Sequence, residues 1–210
     1  MIQYPAIFIS FDDIYFKAWE KLLPLLHRYN AKITLFPTNV GMYNGETWLT
    51  LRKFMMAGHA IGNHTFSHVR AGVKIEEMGV DAFLEKEIFS VQRAFYANGI
   101  PNPVCFCYPW GNRNDKSDFH LSKIFKRIRI GGTRMYRPGD LIGQQFIQSA
   151  DFGKEPHLPI SPHAKTIESV YMAHAAQFFH FHNPDPVRLK ALLFRGNELG
   201  INFQNFEDLP

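Results

Sequence analysis

The chain has 210 residues, 46% of them hydrophobic and 20% charged, with a formal net charge of +4 and a sequence pI near 9.0. That length and polarity suit one domain, residues 1–210, with a sizeable core, and no stretch approaches the ~20 apolar residues that span a bilayer. The densest basic stretch, Lys123 to Arg129, reads as a helix face followed by a strand, so nucleic acid is not an expected partner.

In chain order, Ala6 to Ser10 is an uninterrupted apolar run with the spacing of a strand, and Asp12-Asp13 follows it. Tyr15 to Tyr29 has helical spacing, with Pro24 predicting a late start or a kink. Lys32 to Phe36 reads as a strand stopped by Pro37, Glu46 to Ala57 as a helix stopped by Gly58, and Ala60 to Asn63 as a short strand. Glu76 to Asn98 is predicted as one long helix, Val104 to Tyr108 as a strand, Lys116 to Lys126 as a helix and Ile128 to Ile130 as a strand. Leu141 to Phe152 is ambiguous, and the Pro-rich Glu155 to Lys165, which carries His157 and His163, reads as a loop. Thr166 to His174 is helical, Gln177 to His182 a strand, Pro186 to Leu199 a helix and Ile201 to Phe203 a last strand. Strands alternating with helices through short connections argue for an α/β fold with a largely parallel sheet.

The residues that carry chemistry fall just past the C-terminal ends of these strands, the face on which parallel barrels place their active sites. Asp12-Asp13 puts two carboxylates where burial is costly unless they hold a cation or a proton, although such a pair is also a common helix start. His64 and His68 are spaced to share one face of a helical turn and so to reach one metal ion. Two imidazoles and one carboxylate leave a coordination position open, as catalytic metal sites do, and the other Asp could then serve as a general base. His180 and His182 share one strand face. Cys105 and Cys107 also share a face and close too small a loop for a structural disulfide. With Met1 to Pro5 lacking the features of a signal peptide, a cytoplasmic protein is expected.

Three of these stretches resemble the motifs of the polysaccharide deacetylase, or NodB-homology, family. Ser10-Phe11-Asp12-Asp13 is similar to its T-F-D-D motif. Gly58-His59-Ala60-Ile61-Gly62-Asn63-His64-Thr65-Phe66-Ser67-His68 is similar to its G-H-E-I-G-N-H-T-x-x-H stretch, with Ala60 where Glu is usual, and Tyr108-Pro109-Trp110-Gly111 to its R-x-P-Y-G motif. Gln177 to His182 resembles its closing strand. The resemblance implies an irregular NodB-like (β/α) barrel of about seven strands and a metal-dependent hydrolase that removes an N-acyl group, acetyl by preference, from an amino sugar. It implies Asp12 as base, Asp13, His64 and His68 as ligands of a divalent ion, Zn²⁺ first among candidates, and the Trp110 N–H as oxyanion donor. It implies the closing-strand histidine as general acid, either His180 or His182, with His182 preferred because Asn183-Pro184 ends the strand there; Tyr108, Pro109, Trp110 and His180 are the substrate-binding candidates.

Two alternatives remain open on the sequence: a deformylase or cyclic-amide hydrolase of the same fold, and a carbohydrate-binding module without catalysis. The third motif also departs from the family. Cys107 stands where an Arg usually orients the base, and no downstream acidic-aromatic motif that would hold such an Arg is evident. The expectation is a branch that has lost both. The partner expected is a carbohydrate or sugar-linked small molecule, and no oligomeric state follows.

Overall fold

The computed structural model describes residues 2–152 and 161–209. Its strands are β1 (Ala6–Asp13), β2 (Ile33–Pro37), β3 (Ala60–Ile61), β4 (Cys105–Cys107), β5 (Arg127–Gly131), β6 (Phe146–Asp151), β7 (Ala176–Phe181) and β8 (Asn202–Gln204). Seven of them pair in parallel in the order β3-β2-β1-β7-β6-β5-β4, while β8 pairs with the start of β1. A parallel bridge from Asn63 to Phe106, with the Asn63 N–H on Cys105 O and the Cys107 N–H on Asn63 O at 2.9 Å each, joins the end of β3 to β4. The result is a nearly closed (β/α) barrel, as the sequence motifs lead one to expect.

Every residue of β1 from Ala6 to Phe11 is fully buried, which explains the apolar run: a parallel strand covered on both faces has no wet side to mark with polar residues. The two faces differ in neighbours. Ile7, Ile9 and Phe11 pack outward against the helices with Trp19, Leu26 and Leu189. Ala6 and Phe8 point into the barrel with Phe36, Phe178 and Phe206. The Phe8 and Phe178 rings stack at 4.4 Å, and Phe206, from the C-terminal turn, meets both edge-on. Aromatic rings therefore fill the N-terminal end of the lumen. The period of two along each strand carries the inward positions onward from Phe8 to Ser10 and Asp12, and from Phe178 to His180 and His182. The polar groups thus gather at the C-terminal end.

Several predicted elements change in detail. The first helical stretch divides at Pro24 into α1 (Phe16–Glu20) and α2 (Leu23–Arg28), and the next is α3 (Gly45–Met56). The long helix predicted over Glu76 to Asn98 is instead α4 (Ala71–Met78), α5 (Val80–Phe83), a π-helical turn (Leu84–Phe89) and α6 (Ser90–Ala97), broken first at Gly79 with φ +82°. The helix after β4 is α7 (Asp115–Leu121), capped by Asn114. The ambiguous stretch forms β6. The helix predicted from Thr166 starts earlier, as α8 (Ser161–Met172), and the last is α9 (Pro186–Glu198). His157 lies outside the described residues, as does the side chain of His163.

His59 is buried, and its Nδ1 accepts the Ile33 N–H at 3.2 Å. That bond requires a neutral ring, and burial, with Lys32 nearby, pushes its pKa down to about 4. Because the folded value lies below the ordinary 6.5, this ring's stabilisation is complete above about pH 6.5 and is lost as pH falls toward 4. The loss should reach about 3 kcal/mol on full protonation, at ~1.4 kcal/mol per unit. His59→Gln keeps an acceptor and cannot titrate. Urea denaturation at a series of pH values should show the wild type losing more stability than the variant between pH 6.5 and 4, and parallel curves would contradict this account of His59.

Candidate active site

The site begins with the loop that leaves β3. Gly62 is required there, since an added Cβ would lie 2.3 Å from the Phe36 ring and 3.1 Å from Cys105 O. The close approach lets Asn63 close the barrel, and the Asn63 side chain then accepts the Thr65 N–H at 2.9 Å. Thr65 and His68 take left-handed conformations, φ 60° and 57°. His64 and His68 therefore do not share a helical turn, as their spacing predicts. They are carried by a folded loop, because the backbone of Asn63 is committed to the β4 bridge and cannot start a helix. The rings still meet, with centroids 5.1 Å apart.

Asp13, at the end of β1, also has positive φ, 79°. Its Oδ1 lies 3.1 Å from His68 Nε2 and 3.7 Å from His64 Nε2. His64 Nδ1–H donates to Cys107 O at 2.8 Å, which fixes the ring and leaves Nε2 free to act as a ligand. Burial, with His68 beside it, pushes the His64 imidazole down to about 3, so it is neutral, the form a metal binds. Burial opposes ionisation of Asp13, but His68, His64 and His182 together outweigh it and hold the carboxyl below its usual value. Asp13 Oδ1 is buried with no hydrogen-bond donor among the described residues.

Two donor triads have their atoms within 4.8 Å of one another: Asp13, His64 and His68, and also Asp12, His64 and Cys107. The second is blocked. The Arg129 guanidinium donates to both Asp12 Oδ2 and Cys107 Sγ, so a fixed positive charge already sits among those donors. Burial also pushes the Cys107 thiol up, keeping it protonated and a poor ligand. The Asp13, His64 and His68 triad fits a divalent ion, with one oxygen and two nitrogen donors and an orphaned oxygen facing the imidazoles.

The Asp12–Arg129 pair corrects the sequence reading, in which the acid had no Arg to hold it. Cys107 and Arg129 are register partners on β4 and β5, so the guanidinium comes from the adjacent strand. Both partners are buried, Asp12 to 2% and Arg129 to 4% exposure. Burial raises the Asp12 pKa against the opposing pull of Arg129 and His182. Asp12 Oδ1 is buried without a hydrogen-bond partner among the described residues. One signal in the sequence pointed to Arg129: a charged residue between Ile128 and Ile130 in a buried strand must meet an acid, and Asp12 was the acid in need of a cation.

The whole cleft is about 460 Å³ in volume, and Trp110, His180, His182, Ser149 and Asp151 also line it. Asp151, which the sequence reading missed, ends β6 before an aromatic, Phe152, and its Oδ2 is 3.9 Å from His180 Nε2. Ser149 Oγ meets His180 Nδ1 at 3.1 Å, so both ring nitrogens of His180 face protein groups. The His182 ring lies 5.7 Å from that of His180. Trp110 stands at the mouth, 69% exposed, in a left-handed conformation with φ 60°. Its indole N–H donates to His68 O at 3.3 Å. Tyr108 is buried and directs its hydroxyl away to Asp118 at 2.8 Å, and Pro109 is buried. Tyr108 nonetheless lines the cleft.

A family model for polysaccharide deacetylase matches residues 3–124. The chain is 30% identical over 127 residues to a peptidoglycan-N-acetylglucosamine deacetylase of Bacillus cereus, a match covering 60% of this chain and 53% of that protein, so it spans about half the length of that relative. Among solved structures, a family 4 carbohydrate esterase of Streptomyces lividans bound to acetate superposes with a TM-score of 0.66 at 17% identity, covering 94% of this chain and 90% of that one. A mutant of a pseudoenzyme of the same esterase family, with restored enzymatic activity, gives 0.71 at 13% identity over 98% of this chain and 67% of that one. Its wild-type form is from Bacillus anthracis. These likenesses at low identity concern the fold, whereas the family model covers more than half of the sequence, including both of its first two motifs: the chain belongs to the polysaccharide deacetylase family.

Proposed function

We propose that this protein is a metal-dependent hydrolase that removes an N-acyl group, acetyl by preference, from an amino sugar or a sugar-containing intermediate. The observation that carries the reading is the placing of two adjacent carboxylates in different surroundings: Asp13 facing the imidazoles of His64 and His68, and Asp12 buried against a cation with one oxygen unengaged. Asp13, His64 and His68 would hold the ion, and Zn²⁺ suits the set, although affinity order alone does not select it. When bound, such an ion polarises an acyl carbonyl and acidifies water.

The chain's own groups supply the proton traffic. Arg129 holds Asp12 Oδ2, which leaves Oδ1 to take a proton from water as that water attacks the acyl carbon. The backbone N–H of Trp110 donates to the oxygen on which charge develops. His182 then gives a proton to the nitrogen as the C–N bond breaks, releasing the carboxylic acid and a free amine. His180 is engaged by Ser149 and Asp151 and acts as a structural neighbour of His182. The exposed ring of Trp110 offers a flat apolar face for a pyranose, with the Arg70 guanidinium 6.0 Å from its centre. The B. cereus relative is described as acting on peptidoglycan N-acetylglucosamine, and N-acetylglucosamine oligomers are the first substrates to test. The wild type should release amine from them, whereas a binding module would bind without release.

Asp12→Asn should lower kcat by at least about 100-fold while zinc binding stays at wild-type strength, and His64→Ala should lose the zinc. Near-normal turnover in the first variant, or full zinc occupancy in the second, would remove that residue from its role.

The acid can be isolated by its leaving group. His182→Ala should lose at least about 100-fold in kcat on an N-acetyl amide but far less on an activated aryl acetate, whose phenolate departs without a proton. His180→Ala should lower stability and treat the two substrates alike. The reverse pattern would move the acid to His180.

The Arg of this cleft can also be moved. Arg129→Ser should be nearly inactive, and adding Cys107→Arg, its register partner, should recover at least about tenfold of the lost rate, or ~1.4 kcal/mol. No recovery in a folded double variant would mean that Arg129 does more than pair with Asp12.

A further inference from the structure

Glu87 is almost fully buried, 1% exposed, yet makes no salt bridge among the described residues. A buried carboxylate without a cation is costly unless its oxygens are satisfied by hydrogen bonds. Those bonds all come from one residue. Ser67, between the two histidines of the site, gives its N–H to Oε2 at 2.9 Å and its hydroxyl to Oε1 at 2.9 Å, with Oε2 at 3.1 Å. The backbone joins in: Phe66 N–H donates to Glu87 O at 2.9 Å, and Asn63 Nδ2 to Ile88 O at 3.2 Å.

Glu87 and Ile88 lie in the π-helical turn of Leu84–Phe89. Such single wide turns are uncommon and recur at functional sites. Here the Ser90 N–H reaches Glu85 O, five residues back, and the Ser90 hydroxyl adds a bond to the same oxygen at 2.9 Å. The wide turn presents two successive residues to the same loop, and that loop is strained: Thr65 and His68 both hold left-handed conformations that a free chain would leave. From the other side, Thr38 Oγ1 donates to Thr65 O at 3.0 Å and the Val40 N–H to Phe66 O at 3.0 Å. The segment from Asn63 to His68 is thus gripped on two sides, and the Glu87 side chain is the buried member of the grip that takes Ser67.

We infer that Glu87 is a positioning residue for the ligand loop: by holding Ser67 it keeps His64 and His68 aimed at Asp13. It touches neither the ion's place nor a substrate. The inference rests on the proposed role of Asp13, His64 and His68, and the π turn is the device that delivers the carboxylate. What matters is geometry, so a neutral side chain with the same shape suffices. Gln can accept the Ser67 N–H and donate to the Ser67 hydroxyl.

The test compares the wild type with Glu87→Ala, Glu87→Gln and Ser67→Ala, each stripped with chelator and titrated with Zn²⁺ against a chelating dye, with melting followed before and after loading. Glu87→Ala should weaken zinc binding by about 10- to 100-fold, the range seen when groups supporting metal ligands are lost. Its melting gain on loading should shrink. Glu87→Gln should bind within about threefold of wild type and Ser67→Ala should fall between. A Glu87→Ala protein that melts lower but binds zinc as tightly as wild type would overturn the inference, because the residue would then be structural only. Equal losses in the Gln and Ala variants would also overturn it, by making charge rather than geometry the cause. If the Ala variant does not fold, Ser67→Ala decides, and wild-type affinity there rejects the inference. Failure of the wild type to bind zinc would instead reject the metal-site reading, and this inference with it.

Discussion

A single ion pair reaches across the barrel. Arg129 on β5 and Asp12 on β1 sit three strands apart in the sheet order, and their side chains meet in the lumen where both are almost wholly buried. Neither charge is tolerable there alone, since an unpaired buried ion costs several kcal/mol. Together they divide the lumen into an aromatic end, filled by Phe8, Phe36, Phe178 and Phe206, and a polar end that opens to the cleft. The guanidinium also covers Cys107 Sγ and so keeps a cation from entering the donor set of Asp12, His64 and Cys107. By occupying one set, Arg129 leaves the other, built on Asp13, as the place proposed for an ion. The two adjacent carboxylates thus have separate fates, although they are neighbours in sequence.

The backbone around this pair is under strain at chosen points. Asp13, Thr65, His68 and Trp110 all have positive φ without being glycine; three of them line the cleft, and Thr65 lies buried in the loop between His64 and His68. Such residues persist only where the surroundings over-determine them. Here the surroundings are identifiable: the Asn63 bridge to β4, the Gly62 approach to Phe36, the Glu87 grip on Ser67 and the indole bond to His68 O. Each ties the loop to a different part of the barrel, so the histidines are held by the fold and not by local helix propensity.

Much of this was legible in the sequence, and the exceptions have a common cause. β1, β2 and β7 were visible because both of their faces are covered, which leaves runs such as Ala6 to Ile9 without a polar break, whereas the half-covered β6 read as ambiguous. The positions of Asp12, Asp13, His64, His68 and His182 followed from strand ends, and the structure gathers all five in one cleft. What sequence did not disclose was adjacency. Arg129 is 22 residues from Cys107 and becomes its neighbour only through the β4–β5 register. The stretch from Glu76 to Asn98 reads as one helix because nothing local says that residue 87 must meet residue 67. His64 and His68 have helical spacing, and the tertiary bond that denies them a helix is made by Asn63 to a strand that begins at Cys105. Tyr108 lines the cleft, and its hydroxyl bond to Asp118 is a further contact that the motif position does not disclose.

The central claim is that the ion belongs to Asp13, His64 and His68 and that Arg129 bars it from Cys107. X-ray absorption at the zinc edge of the stoichiometrically loaded wild-type protein tests this directly, because nitrogen and oxygen ligands scatter at about 2.0–2.2 Å and thiolate sulfur at about 2.3 Å. The account predicts a shell of nitrogen and oxygen alone, with two imidazoles. A sulfur contribution would place the ion against Cys107 and Asp12 and contradict it.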